Sequence, residues 1–345
     1  MRFSAEETPF DEVRRAAVQE YAARYADLRL AGDEYVRLVT TILDDAGINY
    51  LSVTGRTKSV TSFAAKAVRG GAGSPLYSDP LHEITDQLGV RVITYLHSDV
   101  AAVAELLDDQ MRLLDDRDLG QETASEGRFG YASRHLLVEV EPGSSLAEEH
   151  PGLVGQAASV QIRTVLQHAW AEFEHDIRYK GKIPEEHVPD LDRRFTLAAG
   201  LLELADREFS AIRDRLQLGM STQAAAATDD DPRISAQDLA AFLAGQFPDA
   251  GWSRTDHYTW ISGLLLELGI TNLDELAQVL TGVDSAGLNS RMGYRYPPGA
   301  VRRLDDALLA HYGDTYVALQ LNSRRTELLR ARLARLRHEG PGDAT

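Results

Sequence analysis

The stretch "ASVQIRTVLQHAWAEFEHDIRYK", residues 158–180, changes period in its middle. Ser159, Gln161 and Arg163 alternate with Val160 and Ile162, the pattern of a strand with one apolar and one polar face. Val165, Leu166, Ala169, Trp170, Phe173 and Ile177 then recur at helical spacing, so the strand runs straight into an amphipathic helix. The polar face of the strand carries a serine, a glutamine and an arginine. It is either simply solvated or the lining of a site for an anion, and the flanking sequence has to decide.

Working outward, strand and helix patterns alternate. Residues 9–29 and 33–45 read as two amphipathic helices with a break at Gly32. Residues 48–56 read as a strand, 59–70 as a short helix, 80–89 as a helix stopped by Gly89, 90–96 as a strand and 99–114 as a helix. Residues 133–141 and 158–164 are strands, and 165–180 and 190–218 helices. The polar run 115–128 reads as a mobile loop able to close over a ligand, and Gly70–Gly73 as a flexible loop of the same site. This alternation predicts an α+β domain, a mixed sheet flanked by helices. Residues 219–233, poor in large apolar side chains, read as a linker, and 234–345 as four or five helices without a catalytic motif. The expected division is thus 1–45, N-terminal helices packed on the next domain; 46–218, the α+β domain with trailing helices; 219–233, linker; and 234–345, an all-helical domain serving interaction or regulation.

Composition narrows the function classes. The chain has 345 residues, 43% hydrophobic and 26% charged, which is ordinary for a globular protein. No apolar run approaches the ~18 residues of a membrane span, and the first residues lack the apolar core of a secretory leader. With no cysteine, disulfides and thiolate metal sites are excluded, which suits a reducing cytoplasm. A net charge of −17 argues against a protein that coats nucleic acid, while leaving room for a local basic pocket. Only four lysines stand against 32 arginines, and all four, Lys58, Lys66, Lys180 and Lys182, fall between positions 58 and 182.

Three further clusters carry chemistry. Arg56, Lys58, Ser62 and Lys66 run from a strand end into the first turns of a helix, with Ser62 and Lys66 on one helical face. Such a set is either a solvated basic face or a cradle for a polyphosphate. Asp86 stands at the mouth of the strand that carries Arg91, where a Mg²⁺ ligand would be needed beside phosphates. Tyr131 follows Gly130, with Ser133 and His135 alternating beyond it; the ring is either core or a platform for a base, a contact of ~1–3 kcal/mol. His168, Glu172 and His175 share a helical face but lack the order and the third ligand of a zinc site.

Taken in order, R56-x-K58-x3-S62-x3-K66, D86-xx-G89-x-R91, G130-Y131-x-S133-x-H135 and Q161-I162-R163-T164-x3-H168-xx-A171-E172-x6-Y179-K180 resemble the synthetase domain of the RelA/SpoT alarmone enzymes. The resemblance covers about residues 45–185 and suggests a small, single-synthetase-domain member with a helical C-terminal extension. It implies a mixed sheet of the nucleotidyltransferase type. It also implies transfer of the β,γ-pyrophosphate of ATP to the 3′-hydroxyl of GTP or GDP, giving pppGpp or ppGpp and AMP. On that resemblance Arg56, Lys58, Ser62, Lys66 and Arg91 would bind ATP. Asp86 would hold Mg²⁺, and Tyr131, His135, Gln161 and Arg163 would bind the acceptor nucleotide. Asp86, Arg56, Lys58 and Gln161 would form the catalytic set.

The chain departs from the pattern at Phe129, where an asparagine is common, at Ala132 and Arg134, which flank Ser133 unusually, and at one position that bears directly on the chemistry. The family strand usually reads E-x-Q-I-R-T, and this chain has Ser159 where the glutamate stands. A serine is a far weaker Mg²⁺ ligand than a carboxylate and no base near neutral pH. Three readings stay open: an active synthetase in which Glu139, Glu172 or Glu174 supplies the charge; a nucleotide-binding regulator of weak turnover; and a toxin-like relative acting on tRNA or adenosine nucleotides. The resemblance leaves homo-oligomerisation open. His175-Asp176 is not accompanied by the histidine and acidic boxes of the alarmone hydrolases, so no hydrolase activity is expected.

Overall fold

Strand β1 (Tyr50–Thr57), buried only at Tyr50, follows the 37-residue helix α1 (Pro9–Asp45) in the computed structural model. The structure describes residues 9–71, 74–120, 122, 133–180, 184–220, 231–292, 294, 298–323 and 325–337. After β1 come α2 (Val60–Ala67), the two-residue strands β2 (Gly70–Gly71) and β3 (Ser74–Pro75), the one-turn helix α3 (Pro80–Glu83), β4 (Leu88–Thr94), α4 (His97–Gln110), β5 (Arg112–Asp118) and β6 (Arg134–Glu139). Helix α5 (Ser145–Glu149), β7 (Ala158–Thr164), α6 (Val165–Lys180) and α7 (Val188–Met220) complete this part. The chain divides into two units. One is Met1–Ile42, Leu51–Tyr95 and Leu107–Glu203; the other is Leu43–Tyr50, Leu96–Leu106 and Leu204–Thr345.

The first unit holds a five-stranded sheet of order β1-β4-β7-β6-β5. β4 and β7 are parallel, while β6 is antiparallel to both of its neighbours, so the sheet is mixed. One face buries Val90, Val92, Val160, Ile162, Leu136 and Val138, none more than 2% exposed. The other face carries the polar alternate residues. Register aligns Arg91 with Gln161, Gln161 with His135 and His135 with Arg117, a polar row across four strands. One step along, Ser159 lies between Gly89 and Leu137. Because side chains alternate with period two, a slip by one residue would send the whole row into the core.

Several expectations need correcting. Gly32 does not break a helix: α1 runs through it without interruption. A Cβ there would come 2.8 Å from Thr57 Oγ1, and one on Gly55 would meet Val36 Cγ2 at 2.5 Å, so these glycines let α1 and β1 cross closely. The segment expected as a loop at 115–128 begins as strand β5 instead. Its charges are matched across the ladder, Arg134 to Asp116 at 2.8 Å and Arg112 to Glu139 at 3.2 Å, which lets a polar sequence hold an edge strand. Residues 80–89 form only one helical turn before β4 begins at Leu88. Gly70–Gly71 pairs with Ser74–Pro75 in a small ladder, and residues 72 and 73 lie outside the described residues. Helix α7 continues to Met220, two residues into the expected linker, and 221–230 lie outside the described residues.

The second unit is helical beyond that point: α8 (Ala236–Gln246), α9 (Thr255–Glu267), α10 (Leu273–Thr281), α11 (Ser285–Met292), α12 (Ala300–Tyr312), the short α13 (Asp314–Val317) and α14 (Thr326–Arg337). That is more than the four or five helices expected. Its core includes Leu239, Leu243, Ile261, Leu264, Leu304, Leu308, Tyr316 and Leu329. Helix α12 is buried along most of its length, charged residues included. Asp305 accepts from Tyr316 Oη (2.5 Å), Arg325 Nη2 (2.7 Å) and Arg332 Nη1 (2.8 Å), and Arg332 also reaches Asp306. Burial alone would raise the Asp305 carboxyl, but Arg325 and Arg332 overcome it and hold it far below the usual range. No described helix is long and apolar enough to cross a membrane.

Candidate active site

The centre of the site is one carboxylate gripped twice. Lys58 Nζ stands 2.8 Å from Asp86 Oδ2, and Lys66 Nζ 3.0 Å from Asp86 Oδ1. Lys58 follows β1, Lys66 sits in the last turn of α2, and Asp86 is in the turn before β4. Local chemistry fixes all three. Ser59 caps α2, its hydroxyl accepting from the Ser62 amide at 3.1 Å and donating to Ser62 Oγ at 2.8 Å. The Lys58 amide donates to the Gln87 carbonyl at 2.8 Å, tying the end of β1 to the turn that holds Asp86. Tyr21 of α1 donates to the Lys58 carbonyl at 2.6 Å and stacks on Phe63 at 4.0 Å. Partial burial pushes the Asp86 carboxyl up, yet the hydrogen bonds and charges of Lys58 and Lys66 outweigh it and hold it below the ordinary carboxylate range. Asp86 is therefore ionised at neutral pH.

A second cluster lies on β4, β7 and β6. Arg91 Nη1 donates to Glu172 Oε1 at 2.8 Å, and His168 Nδ1 lies 3.8 Å from the same oxygen. Arg163 Nη2 donates to Gln161 Oε1 at 3.1 Å. Burial, helped by the like charge of Arg91, lowers Arg163 to about 10, still cationic at pH 7. Burial, then Arg117, lowers His135, so its ring is neutral at pH 7. His135 Nε2 shares a hydrogen bond with the buried Ser133 hydroxyl at 2.8 Å. The stripe of His168 and Glu172 thus serves the arginine of the sheet, and among the described residues no group of three or more metal-ligating side chains converges.

The sequence-predicted residues fall as follows. Lys58, Lys66 and Asp86 are in direct contact, and Arg91, Gln161, Arg163 and His135 share the polar face of neighbouring strands. Arg56 is exposed on β1 and Ser62 lies in the first turn of α2; neither touches Asp86 directly among the described contacts. Tyr131, like Gly130, lies outside the described residues. Ser159 has no carboxylate opposite it in either neighbouring strand. Of the acids considered as substitutes, Glu172 is engaged by Arg91 and Glu139 by Arg112.

Sequence reasoning missed Tyr21, Tyr77 and Arg117. Tyr77 places its ring 5.9 Å from Lys66 Nζ, and nothing in the pattern of a loop marks such a contact. Arg117 was hidden by reading β5 as a loop.

What the arrangement can do follows from its charges. One lysine at a strand end and one on a helix, round one ionised carboxylate, fit a polyphosphate bridged to a divalent cation. Mg²⁺ commonly takes one or two carboxylates plus phosphate oxygens rather than an all-protein cage, and a lone carboxylate beside lysines suits that mode.

Comparison with known proteins agrees with this placement. The family described as "Region found in RelA / SpoT proteins" matches residues 55–184. GTP pyrophosphokinase YjbM of Bacillus subtilis is 36% identical over 172 residues, 48% of this chain and 72% of that protein. GTP pyrophosphokinase YwaC of the same organism is 29% identical over 147 residues, 41% of this chain and 66% of that protein. Among solved structures, small alarmone synthetase 1 from Bacillus subtilis aligns with a TM-score of 0.45 at 27% identity, covering 57% of this chain and 98% of that one. The family match over the strands that carry both cationic clusters, joined to the identity with YjbM across most of its length, places this chain in the RelA/SpoT family.

Proposed function

We propose that the chain is a GTP/GDP pyrophosphokinase, moving the β,γ-pyrophosphate of ATP to the 3′-hydroxyl of GTP or GDP to make pppGpp or ppGpp, with AMP released. The observation that carries this reading is Asp86 held on both oxygens by Lys58 and Lys66, ahead of the strand that bears Arg91. Two relatives named as GTP pyrophosphokinases support it.

Lys58, Lys66 and Arg91, with Arg56 and the Ser62 hydroxyl, bind the ATP phosphates, exchanging their internal carboxylate partners for phosphate oxygens. Asp86 would hold Mg²⁺, which when bound would supply neutralisation of the phosphate charge. Gln161, His135 and Arg163 orient the acceptor nucleotide, and Tyr131 stacks on its guanine. A neutral His135 can donate to the acceptor or accept from it without adding charge. Positioning and fixed charge, more than covalent chemistry, are what this reaction asks of a protein. ATP and GTP or GDP as substrates support a cytoplasmic location.

The test is direct. Purified protein is incubated with Mg²⁺, labelled ATP and GTP or GDP, and the products are resolved. Guanosine nucleotides bearing a labelled 3′-pyrophosphate, which vanish with Asp86→Ala, are expected. Label reaching only added tRNA or AMP would transfer the assignment to another acceptor.

A further inference from the structure

Ser133 stands one residue before β6 and is only 3% exposed, although its side chain is polar. Nothing in the proposed reaction touches it. Its carbonyl accepts from the Leu119 amide at 3.0 Å, one rung beyond the pairing of Asp118 with Arg134, which ties its backbone to the end of β5. Two residues on, His135 turns to the same side, as the period of a strand requires. The serine hydroxyl meets His135 Nε2 at 2.8 Å and has no second partner among the described residues.

Which atom of that pair carries the hydrogen follows from counting donors and lone pairs. A buried donor left without a partner is costly, whereas a hydroxyl oxygen with a spare lone pair is common. If His135 donated from Nε2, the Ser133 hydrogen would have nowhere to go among the described residues. If Ser133 donates, its hydrogen and the Nε2 lone pair satisfy one another. The serine is therefore the donor. Burial first, then Arg117, lowers the His135 pKa against the pull of Glu122, so the ring is neutral at pH 7. A neutral imidazole that accepts at Nε2 carries its own hydrogen on Nδ1. Nδ1 makes no hydrogen bond among the described residues, yet it is not among the fully buried unpaired atoms, so its N–H is open to a ligand. Across the ladder, Gln161 has its side-chain oxygen occupied by Arg163 Nη2 at 3.1 Å and so turns its NH₂ group outward as a second donor.

We propose that Ser133 is a positioning residue whose hydroxyl locks His135 in the Nδ1-protonated tautomer, so that the ring offers an oxygen of the acceptor nucleotide one N–H and no lone pair. Of the two roles open to a neutral His135, the serine leaves only that of donor. The nucleotide half rests on the pyrophosphokinase reading; the lock itself does not. A consequence reaches Ser159. His135 so fixed cannot take the proton of the 3′-hydroxyl, and it does not stand in for the missing carboxylate.

The tautomer can be read directly. The full chain is labelled with isotopic nitrogen in its histidine rings, and long-range proton–nitrogen spectra are taken at pH 7, with His135→Gln assigning the signals of this ring. The wild-type ring is expected to be neutral, with its hydrogen on Nδ1, and added GDP should move that signal. Ser133→Ala should let the hydrogen spread onto Nε2 and should weaken GDP binding by about three- to tenfold in calorimetry. A wild-type ring protonated on Nε2 or charged at pH 7 overturns the proposal, and so does a tautomer that Ser133→Ala leaves unchanged. The wild-type spectrum decides alone should the variant fold poorly. GDP that binds without moving the Nδ1–H signal overturns the nucleotide half. Absence of GDP binding by the wild type counts instead against the pyrophosphokinase reading, while the same spectra still decide the lock.

Discussion

Lys58 and Asp86 form an ion pair of 2.8 Å that, with Lys66 on the second carboxylate oxygen, closes the candidate phosphate site upon itself. Metal and lysine compete for the same oxygens. Mg²⁺ alone should therefore bind weakly, and should bind measurably tighter once ATP draws the lysines away. Calorimetric titration of Mg²⁺ with and without a non-hydrolysable ATP analogue checks this; equal affinity in both would contradict it. Asp86→Asn is expected to lower turnover by about 10²-fold or more while the protein remains folded.

Ser159 leaves the face opposite Gly89 and Leu137 without an acid. Introducing one by Ser159→Glu is expected to raise turnover by about 10²-fold, the usual scale of a positioned acid–base group. An unchanged or reduced rate would mean that the acid is not what limits this chain.

Gly55 and Val36 mark the crossing of β1 and α1. Gly55→Ala would bring a Cβ within 2.5 Å of Val36 Cγ2, and a loss of about 1–3 kcal/mol in stability is expected. Val36→Ala removes the obstructing methyl, so the double variant should recover part of the loss. Urea unfolding of the four proteins forms the cycle; strict additivity would show that the crossing is not the cause.

Arg332 is 2% exposed in its side chain and binds both Asp305 and Asp306. Arg332→Met strands two buried carboxylates and should cost about 3–5 kcal/mol. Because Asp305 is held far below its ordinary range, its contribution is present above about pH 4 and is lost on acidification below that value. Unfolding of the second unit followed at pH 7 and pH 3 tests both statements.

Asp99 behaves in the opposite sense. Its folded carboxyl is raised to about 7 from an ordinary value near ~3.9, with Arg213 and a Leu96 backbone hydrogen bond opposing the shift. The native state then keeps a proton that the unfolded chain releases, so stability is full below about pH 4 and falls as pH rises to about 7. Asp99→Asn should remove this slope. Urea unfolding at pH 5 and pH 8 should show the variant gaining on the parent at the higher pH.

Much of the sheet and of the candidate site was legible because period and charge speak locally. Strand 158–164 and helix 165–180 lie where the change of period puts them, and Lys58, Lys66 and Asp86 meet although up to 28 positions separate them. Strand β5 was not legible because an edge strand satisfies its charges with partners on β6, and a sequence shows only one side of such a pair. The continuity of α1 was hidden because Gly32 answers to β1 rather than to its own helix. Helix α12 hid its buried charges for the same reason: Asp305 and Arg332 neutralise one another across 27 residues, so neither reads as core on its own.

No residue separates β7 from α6. The strand ends at Thr164, the helix begins at Val165, and Gln167 fastens the joint by accepting from the Thr164 amide at 2.8 Å and donating to its hydroxyl at 3.2 Å. Gln161 before the joint and Glu172 beyond it, the latter gripping Arg91, are thus mounted on one stiff lever. On the proposed assignment of Arg91 to ATP and Gln161 to the acceptor, any rotation of that lever would shift both side chains together, so the first nucleotide to bind would preset the pocket for the second.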